Sequence, residues 1–326
     1  MPSPRPAFSE AALSAASFLK EHDHFLLLTH ARPDGDTVGS AFALAMALRE
    51  CGKTAHILPN PLAGQCFSPY FLQAAPDETL SDNLTVVTVD VADAALLPEA
   101  AAEYLPRIQC VIDHHTANHV PCGLKCVDSH AAAAAEIVRE IIALLGLPLS
   151  PVTAEGLYLG MMTDTGCFKF SNVRPQTLLY AADAVAAGAD AAGLARRYFI
   201  KKSAARMRLE ATVIAAFRYF SNDRIVVASL SREQAAILGA TEEDIGGLAS
   251  LTVVPENAEI GIFAREVADG EVKISVRTDT VVDAAALCAH FGGGGHVRAA
   301  GCTLKNTTLD EACTLMLEAA ERRLLC

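Results

Sequence analysis

His30, Asp34 and Asp36 fall within seven positions of FLLLTHARPDGDTVGS, between an apolar run that reads as a strand and a helical pattern. Two carboxylates and an imidazole crowded onto one strand-to-helix loop repel or stay unpaired unless cations lie between them, so the spacing predicts divalent metal. Three more segments end in the same way. Asp90 closes LTVVTVD, Asp113, His114 and His115 close QCVIDHH, and Asp164 follows the helical stretch in LGMMTDTG. A lone Asp at a strand end is ordinarily a cap or turn residue, and Asp36 could cap a helix beginning near Thr37. Capping accounts for one carboxylate, not for the whole set of acidic endings.

A second set lies near the C-terminus, in FGGGGHVRAAG at 291–301. Consecutive glycines let backbone N–H groups approach an anion that side chains would block, so Gly293, Gly294 and Gly295 read as a phosphate cradle. His296 and Arg298 follow at once, and Arg265 and Arg277 lie on neighbouring alternating runs. These cations suit phosphate oxygens. The alternative is a flexible turn.

The elements that must position these groups are legible in the periodicity. Apolar runs at 25–30, 84–90 and 108–113 alternate with helical patterns such as SAFALAMALRE and AAAAAEIVREIIALLG, the βαβ rhythm of a parallel sheet. Ligands of such sheets gather beyond the carboxyl ends of the strands, where each acidic ending falls. The expected fold class is α/β: an N-terminal doubly wound, mostly parallel sheet domain (1–187), a basic helical linker (188–221) and a smaller mixed α/β domain (222–326). In the last of these, Asp269-Gly270 between two alternating runs predicts a hairpin.

A chain of 326 residues exceeds one ordinary core. It is 52% hydrophobic, yet no apolar run approaches the ~18–20 residues needed to cross a bilayer, so the expectation is a protein with no membrane partner. Its N-terminus does not read as a signal peptide, and its ten cysteines read as reduced apolar side chains, which together predict a cytoplasmic location. His119, Cys122, Cys126 and His130 loosely imitate a zinc knuckle, an alternative the spacing disfavours. A net charge of −12 disfavours coating long duplex DNA, which takes many Lys and Arg, but leaves small anionic substrates open.

In order, HARPDGD, VDVAD, IDHH, MMTDTG and GGGGHVRAAG closely resemble the motifs of the DHH phosphoesterase superfamily with its DHH-associated C-terminal domain, across nearly the whole chain. The short two-domain layout is most similar to the nano-RNase and pAp-phosphatase type. The resemblance implies two divalent cations, with His30 and Asp34 on one, Asp36, His114 and Asp164 on the other, and Asp90 bridging. Four carboxylates and two imidazoles suit Mn²⁺, with Mg²⁺ or Co²⁺ as alternatives. It further implies Asp113 orienting a histidine, His115 touching the substrate phosphate, and Arg265, Arg277, Gly293–Gly295, His296 and Arg298 binding the rest of the substrate.

The implied activity is exonucleolytic hydrolysis of short oligoribonucleotides and dephosphorylation of 3′-phosphoadenosine 5′-phosphate (pAp), with a homodimer as an allowed assembly. Linear or cyclic dinucleotides, inorganic pyrophosphate, and nucleotide binding without catalysis are the competing readings. Two departures stand out. SHAAAAAE at 129–136 carries alanines where relatives commonly carry small hydroxyl residues, and Cys167 stands where relatives often have Ser or Arg.

Overall fold

FLLL, the run before His30, forms β1 (Phe25–Leu28), with all four side chains buried. The computed structural model describes residues 9–76, 80 and 83–324, and within it β1 joins β2 (Ala55–Ile57), β3 (Thr85–Val89), β4 (Ile108–Asp113) and β5 (Leu124–Val127). Their order is β2-β1-β3-β4-β5 and every pairing is parallel. The winding reverses between β1 and β3, which is where open α/β sheets leave a crevice at their carboxyl ends. β2 and β5 are too short to stand out in the sequence. Paired to longer neighbours, they form the two edges.

Around this sheet lie α1 (Glu10–Glu21), α2 (Gly35–Glu50), α3 (Ser68–Ala74), α4 (Ala134–Leu144), α5 (Pro151–Asp164), α6 (Pro175–Ala186) and α7 (Ala191–Ala195). One large core joins the sheet to α1, α2, α4 and α5, and a second packs its other face against Ala101 and Tyr104. α2 is buried on all sides from Gly35 to Leu48. It can be so because its backbone meets α5 directly: a Cβ on Gly39 would lie 2.3 Å from the Gly156 carbonyl oxygen, and one on Gly156 would lie 2.6 Å from that of Gly39.

The chain divides into two compact units, Met1–Lys201 and Lys202–Cys326. The expected continuous linker helix over 188–221 is not formed. After α7 the chain makes a π-type turn at Arg196–Ile200, leaves helical structure, and restarts at α8 (Ala204–Ala215), where the Ser203 side chain accepts the Arg206 N–H. A competent N-cap in mid-stretch favours two helices over one. The segment then ends in β6 (Arg218–Phe220).

In the second unit follow β7 (Ile225–Leu230), α9 (Arg232–Ile237), α10 (Glu242–Ile245), β8 (Ile260–Ala268), β9 (Glu271–Thr278), α11 (Ala284–Ala289), β10 (Gly294–His296), β11 (Ala299–Lys305) and α12 (Leu309–Leu324). The sheet order is β10-β11-β9-β8-β7-β6, antiparallel except for β7 beside β8. β8 and β9 are the hairpin expected around Asp269-Gly270. Even-numbered residues of β8 and β9, Ile262, Ala264, Ile274 and Val276, pack with α11 and α12. Phe263 on the other face packs instead with Leu209, Val213 and Leu248.

Candidate metal centre and substrate-binding groups

The N-terminal groups come together at the carboxyl ends of β1, β3 and β4. His30 follows β1, Asp90 follows β3, His114 and His115 follow β4, Asp34 and Asp36 open α2, and Asp164 closes α5. His30 Nε2 lies 3.6 Å from Asp34 Oδ1 and 3.8 Å from Asp90 Oδ2. His114 Nε2 lies 3.7 Å from Asp36 Oδ2, 3.5 Å from Asp164 Oδ2 and 3.5 Å from Asp90 Oδ1. Among the described residues three groups able to hold a cation form, His30-Asp34-Asp90, Asp36-His114-Asp164 and Asp90-His114-His115, and the two oxygens of Asp90 face His30 and His114.

Local structure fixes each ligand. Asp34, not Asp36, caps α2: its Oδ1 accepts the N–H groups of Asp36 and Thr37. Asp36 Oδ1 instead accepts Ser40 Oγ and the Ala135 N–H, while its Oδ2 accepts the Ala134 N–H at 2.6 Å. The Ala134 and Ala135 N–H groups open α4, whose own N-cap residue, Ala133, has no side chain able to serve them. Asp90 takes a left-handed backbone at φ 60° and donates its N–H to the Ile112 carbonyl. Thr37 Oγ1, donating to the Val89 carbonyl, ties α2 to the strand end just before it.

The imidazoles are oriented by different partners. His114 Nδ1 meets the Ala131 carbonyl oxygen at 3.2 Å, whereas His115 Nδ1 meets Asp113 Oδ1 at 2.7 Å. Asp113, fully buried, also accepts the His114 N–H and, through Oδ2, Asn118 Nδ2 at 2.7 Å. Burial would push the Asp113 carboxyl up, but the bonds from His115 and Asn118 outweigh it and hold the group below the usual range. The bond to Asp113 raises His115 against the opposing effect of burial.

Burial would raise Asp34 too, but the His30 imidazole and the Thr37 and Asp36 N–H groups outweigh it and hold it low, whereas Asp90, Asp164 and Asp36 go the other way. Burial lifts Asp90 well above the usual range, and Asp36, Asp34, Asp113 and Asp164 lift it further by like-charge repulsion. Burial and then Asp36 push Asp164 up to about 7, and burial raises Asp36. Asp90 Oδ1 is buried and receives no hydrogen bond. An anionic oxygen left in that state is costly, and cations between the carboxylates would remove both the repulsion and the orphan. The oxygen-rich, thiolate-free donor set suits a hard or borderline divalent ion.

A cavity of about 410 Å³ opens onto these groups. Three residues around it went unread in the sequence. Arg32 lines it, Asn60 holds the His30 loop through the carbonyls of His30 and Ala31, and Asn118 holds Asp113. Arg32 stood inside HARPDGD; Asn60 and Asn118 carry no spacing signal. His119, Cys122, Cys126 and His130 are not gathered: Cys126 is buried in the core and the Cys122 thiol donates to the Leu124 carbonyl.

In the second unit, residues directly opposite in an antiparallel ladder share a face. His296, Ala299, Arg277 and Gly261 align across four strands, with Arg265 opposite Lys273 four residues along. Arg265, Lys273 and Arg277 line a groove of about 200 Å³ with Glu242, Gly246 and Gly247. Arg265 is already engaged, bidentate to Glu242 at 2.8 and 2.9 Å.

Arg298 is exposed, and its Nη atoms donate to the carbonyls of Thr280 (2.5 Å) and Val282 (3.1 Å). Gly294–His296 forms a short exposed strand laid on β11. A Cβ on Gly293 would lie 2.2 Å from the Gly301 carbonyl oxygen, and one on Gly295, at φ 145°, would lie 2.6 Å from that of Ala299. Close backbone approach accounts for Gly293 and Gly295, while a Cβ on Gly294 would meet open space.

Comparison with known proteins agrees with the geometry. Residues 24–161 match the DHH family, N-terminal domain, and residues 212–324 match the DHHA1 domain. The bifunctional oligoribonuclease and PAP phosphatase NrnA of Thermus thermophilus is 32% identical over 98% of this chain and 97% of its own. The protein of that description from Mycoplasma pneumoniae is 25% identical over 90% of this chain and 91% of its own. An exopolyphosphatase-related protein from Bacteroides fragilis shares the fold, with a TM-score of 0.82 over 96% of each chain at 23% identity.

Proposed function

The chain belongs to the DHH family of metal-dependent phosphoesterases, and from that premise we propose that it hydrolyses short oligoribonucleotides exonucleolytically and removes a phosphate from pAp. The observation that carries this reading is the placement of Asp90, one oxygen toward each cluster and Oδ1 buried without a donor. His30 and Asp34 would hold one cation, Asp36, His114 and Asp164 the other, and Asp90 both, with manganese the best fit to the donors. Bound there, the pair supplies an activated water and stabilises the charge of the phosphoryl group as it is displaced.

The chain's own groups do the rest. Asp113 accepts from His115 Nδ1 and raises that imidazole, which leaves its other nitrogen to meet a phosphoryl oxygen. Asn118 keeps Asp113 from turning. Arg277 and His296, aligned on one face of the second sheet, would bind the remainder of the substrate, with Arg265 available once Glu242 releases it.

Among the described residues no single helix is long and apolar enough to cross a membrane. The proposed location is cytoplasmic, on the reading of the cysteines as reduced apolar side chains. The test is to incubate purified protein and Mn²⁺ with pAp, pApA, a cyclic dinucleotide, pyrophosphate and RNAs of graded length. Release of mononucleotides from the shortest RNAs and of AMP from pAp is expected. Turnover of pyrophosphate alone would refute the assignment.

A further inference from the structure

Arg32 lines the metal-centre cavity on a loop held on both sides. Asn60 Nδ2 donates to the carbonyls of His30 (3.0 Å) and Ala31 (3.4 Å), the Ala31 N–H donates to the Leu96 carbonyl (2.7 Å), and Asp34 is fixed as the cap of α2. Pro33 stiffens the step between. The arginine is exposed and, among the described residues, has no ion-pair or hydrogen-bond partner. A rigid loop therefore presents an unengaged guanidinium into the cavity, although Asp34 and Asp90 line the same space.

Charge accounts for the need. Two dications would about balance the carboxylates of Asp34, Asp36, Asp90 and Asp164, which leaves little positive charge for a substrate carrying more than the reacting phosphate. Of the residues lining the cavity, Arg32 is the one permanent cation. The wall it shares with Ala31, Ala95 and Leu96 is uncharged, with Leu96 about half exposed, and suits a sugar or base. A planar guanidinium matches phosphate oxygens in pairs.

We propose that Arg32 is a specificity residue that binds a second phosphate of the substrate, the one that is not hydrolysed, and so selects nucleosides bearing two phosphates over monophosphates. The proposal rests on the function assigned above. It goes beyond that function in giving one residue the discrimination between substrates.

The experiment compares wild type, Arg32→Ala and Arg32→Lys on pAp against adenosine 3′-monophosphate and adenosine 5′-monophosphate, by kcat/KM with Mn²⁺ and by calorimetric binding with calcium as the only divalent cation. Wild type should favour pAp. Arg32→Ala should reduce that preference roughly ten- to a hundredfold, through KM more than kcat, with Arg32→Lys recovering part of it. Unfolding temperature and manganese uptake, measured on each variant, show that fold and metal centre survive. A preference unchanged in Arg32→Ala, in turnover and in binding alike, would overturn the proposal, as would a wild type with no preference. Arg32-dependent binding of pAp without hydrolysis would support the role of Arg32 while refuting the assigned activity.

Discussion

The Asp36 carboxylate on α2 accepts the backbone N–H of Ala134, 98 positions away, and so serves as the cap that Ala133 cannot provide for α4. One side chain joins the metal centre to the packing of two helices. Asp36→Ala should therefore be inactive and also less stable without metal, by about 1 kcal/mol for the lost cap. Asp36→Asn should be as inactive but keep more of the stability, because one acceptor oxygen remains. Thermal unfolding in EDTA, paired with activity assays, separates the two effects; equal melting temperatures would contradict the capping role.

Asp90 presents the opposite balance. Its carboxyl is buried among like charges with one oxygen unbonded, so without cations it destabilises the fold. Asp90→Asn should melt higher than wild type in EDTA. It should also lose the stabilisation that Mn²⁺ confers on wild type, about 2.7 kcal/mol at a hundredfold excess over Kd, and all hydrolytic activities together. Metal-dependent melting curves provide the measurement.

The contact between α2 and α5 leaves no room for a methyl group. A Cβ on Gly160 would lie 2.7 Å from Asp36 Oδ1, and one on Gly39 would lie 2.3 Å from the Gly156 carbonyl oxygen. Gly39→Ala should destabilise the first unit by about 1–3 kcal/mol. Gly160→Ala should lower manganese affinity and activity beyond what its loss of stability explains, since it displaces a ligand. Calorimetric metal titration alongside denaturant unfolding tells the two apart.

Asn118 touches no predicted ligand directly, yet it holds Oδ2 of the aspartate that orients His115. Its replacement by Ala should cost roughly ten- to a hundredfold in kcat with the fold retained, as loss of an orienting partner usually does. Activity within twofold of wild type would show that Asp113 needs no such support.

Glu259 and Arg298 hold the segment 280–282 between them. The Glu259 carboxylate accepts the N–H groups of Thr280, Val281 and Val282, and Arg298 donates to the carbonyls of Thr280 and Val282. Burial raises the Glu259 carboxyl, but the backbone bonds from Val282, Val281 and Thr280 outweigh it and lower its pKa. A depressed folded-state pKa gives stability that is present above the ordinary glutamate value and lost as pH falls through the folded one. The second unit should thus lose stability on acidification below the usual range for glutamate, and Glu259→Gln should flatten that dependence while melting lower at neutral pH. Unfolding of the full chain from pH 7 to 3, followed by a probe in the second unit, measures it.

Much of this was legible in the chain. β1, β3 and β4 formed where apolar runs ended in His30, Asp90 and Asp113, because strand periodicity and burial are local properties of a few residues. β2 and β5 escaped notice because a three- or four-residue edge strand takes its structure from its neighbour. RRYFIKKSAAR keeps helical composition through a point where Ser203 starts a new helix, so composition alone does not show the break. Residue types suggest anion binding at Arg298 and the glycines, but not which backbone groups they meet. Their partners, the 280–282 carbonyls and the β11 backbone, are set by strand pairing that composition does not encode.

By itself the sequence determined which residue types stand at the ends of which elements, and hence that a cation-binding, phosphate-directed chemistry had its ligands in place, since these follow from spacing along a regular backbone. Only the tertiary structure decided how they divide: which oxygen of Asp90 faces which imidazole, that Asp113 serves His115 while Ala131 serves His114, and that Asp36 closes the end of α4. Those relations depend on distances of a few ångströms between segments far apart in the chain. The packing of α2 against α5, through glycines that admit no side chain, fixes several of them at once.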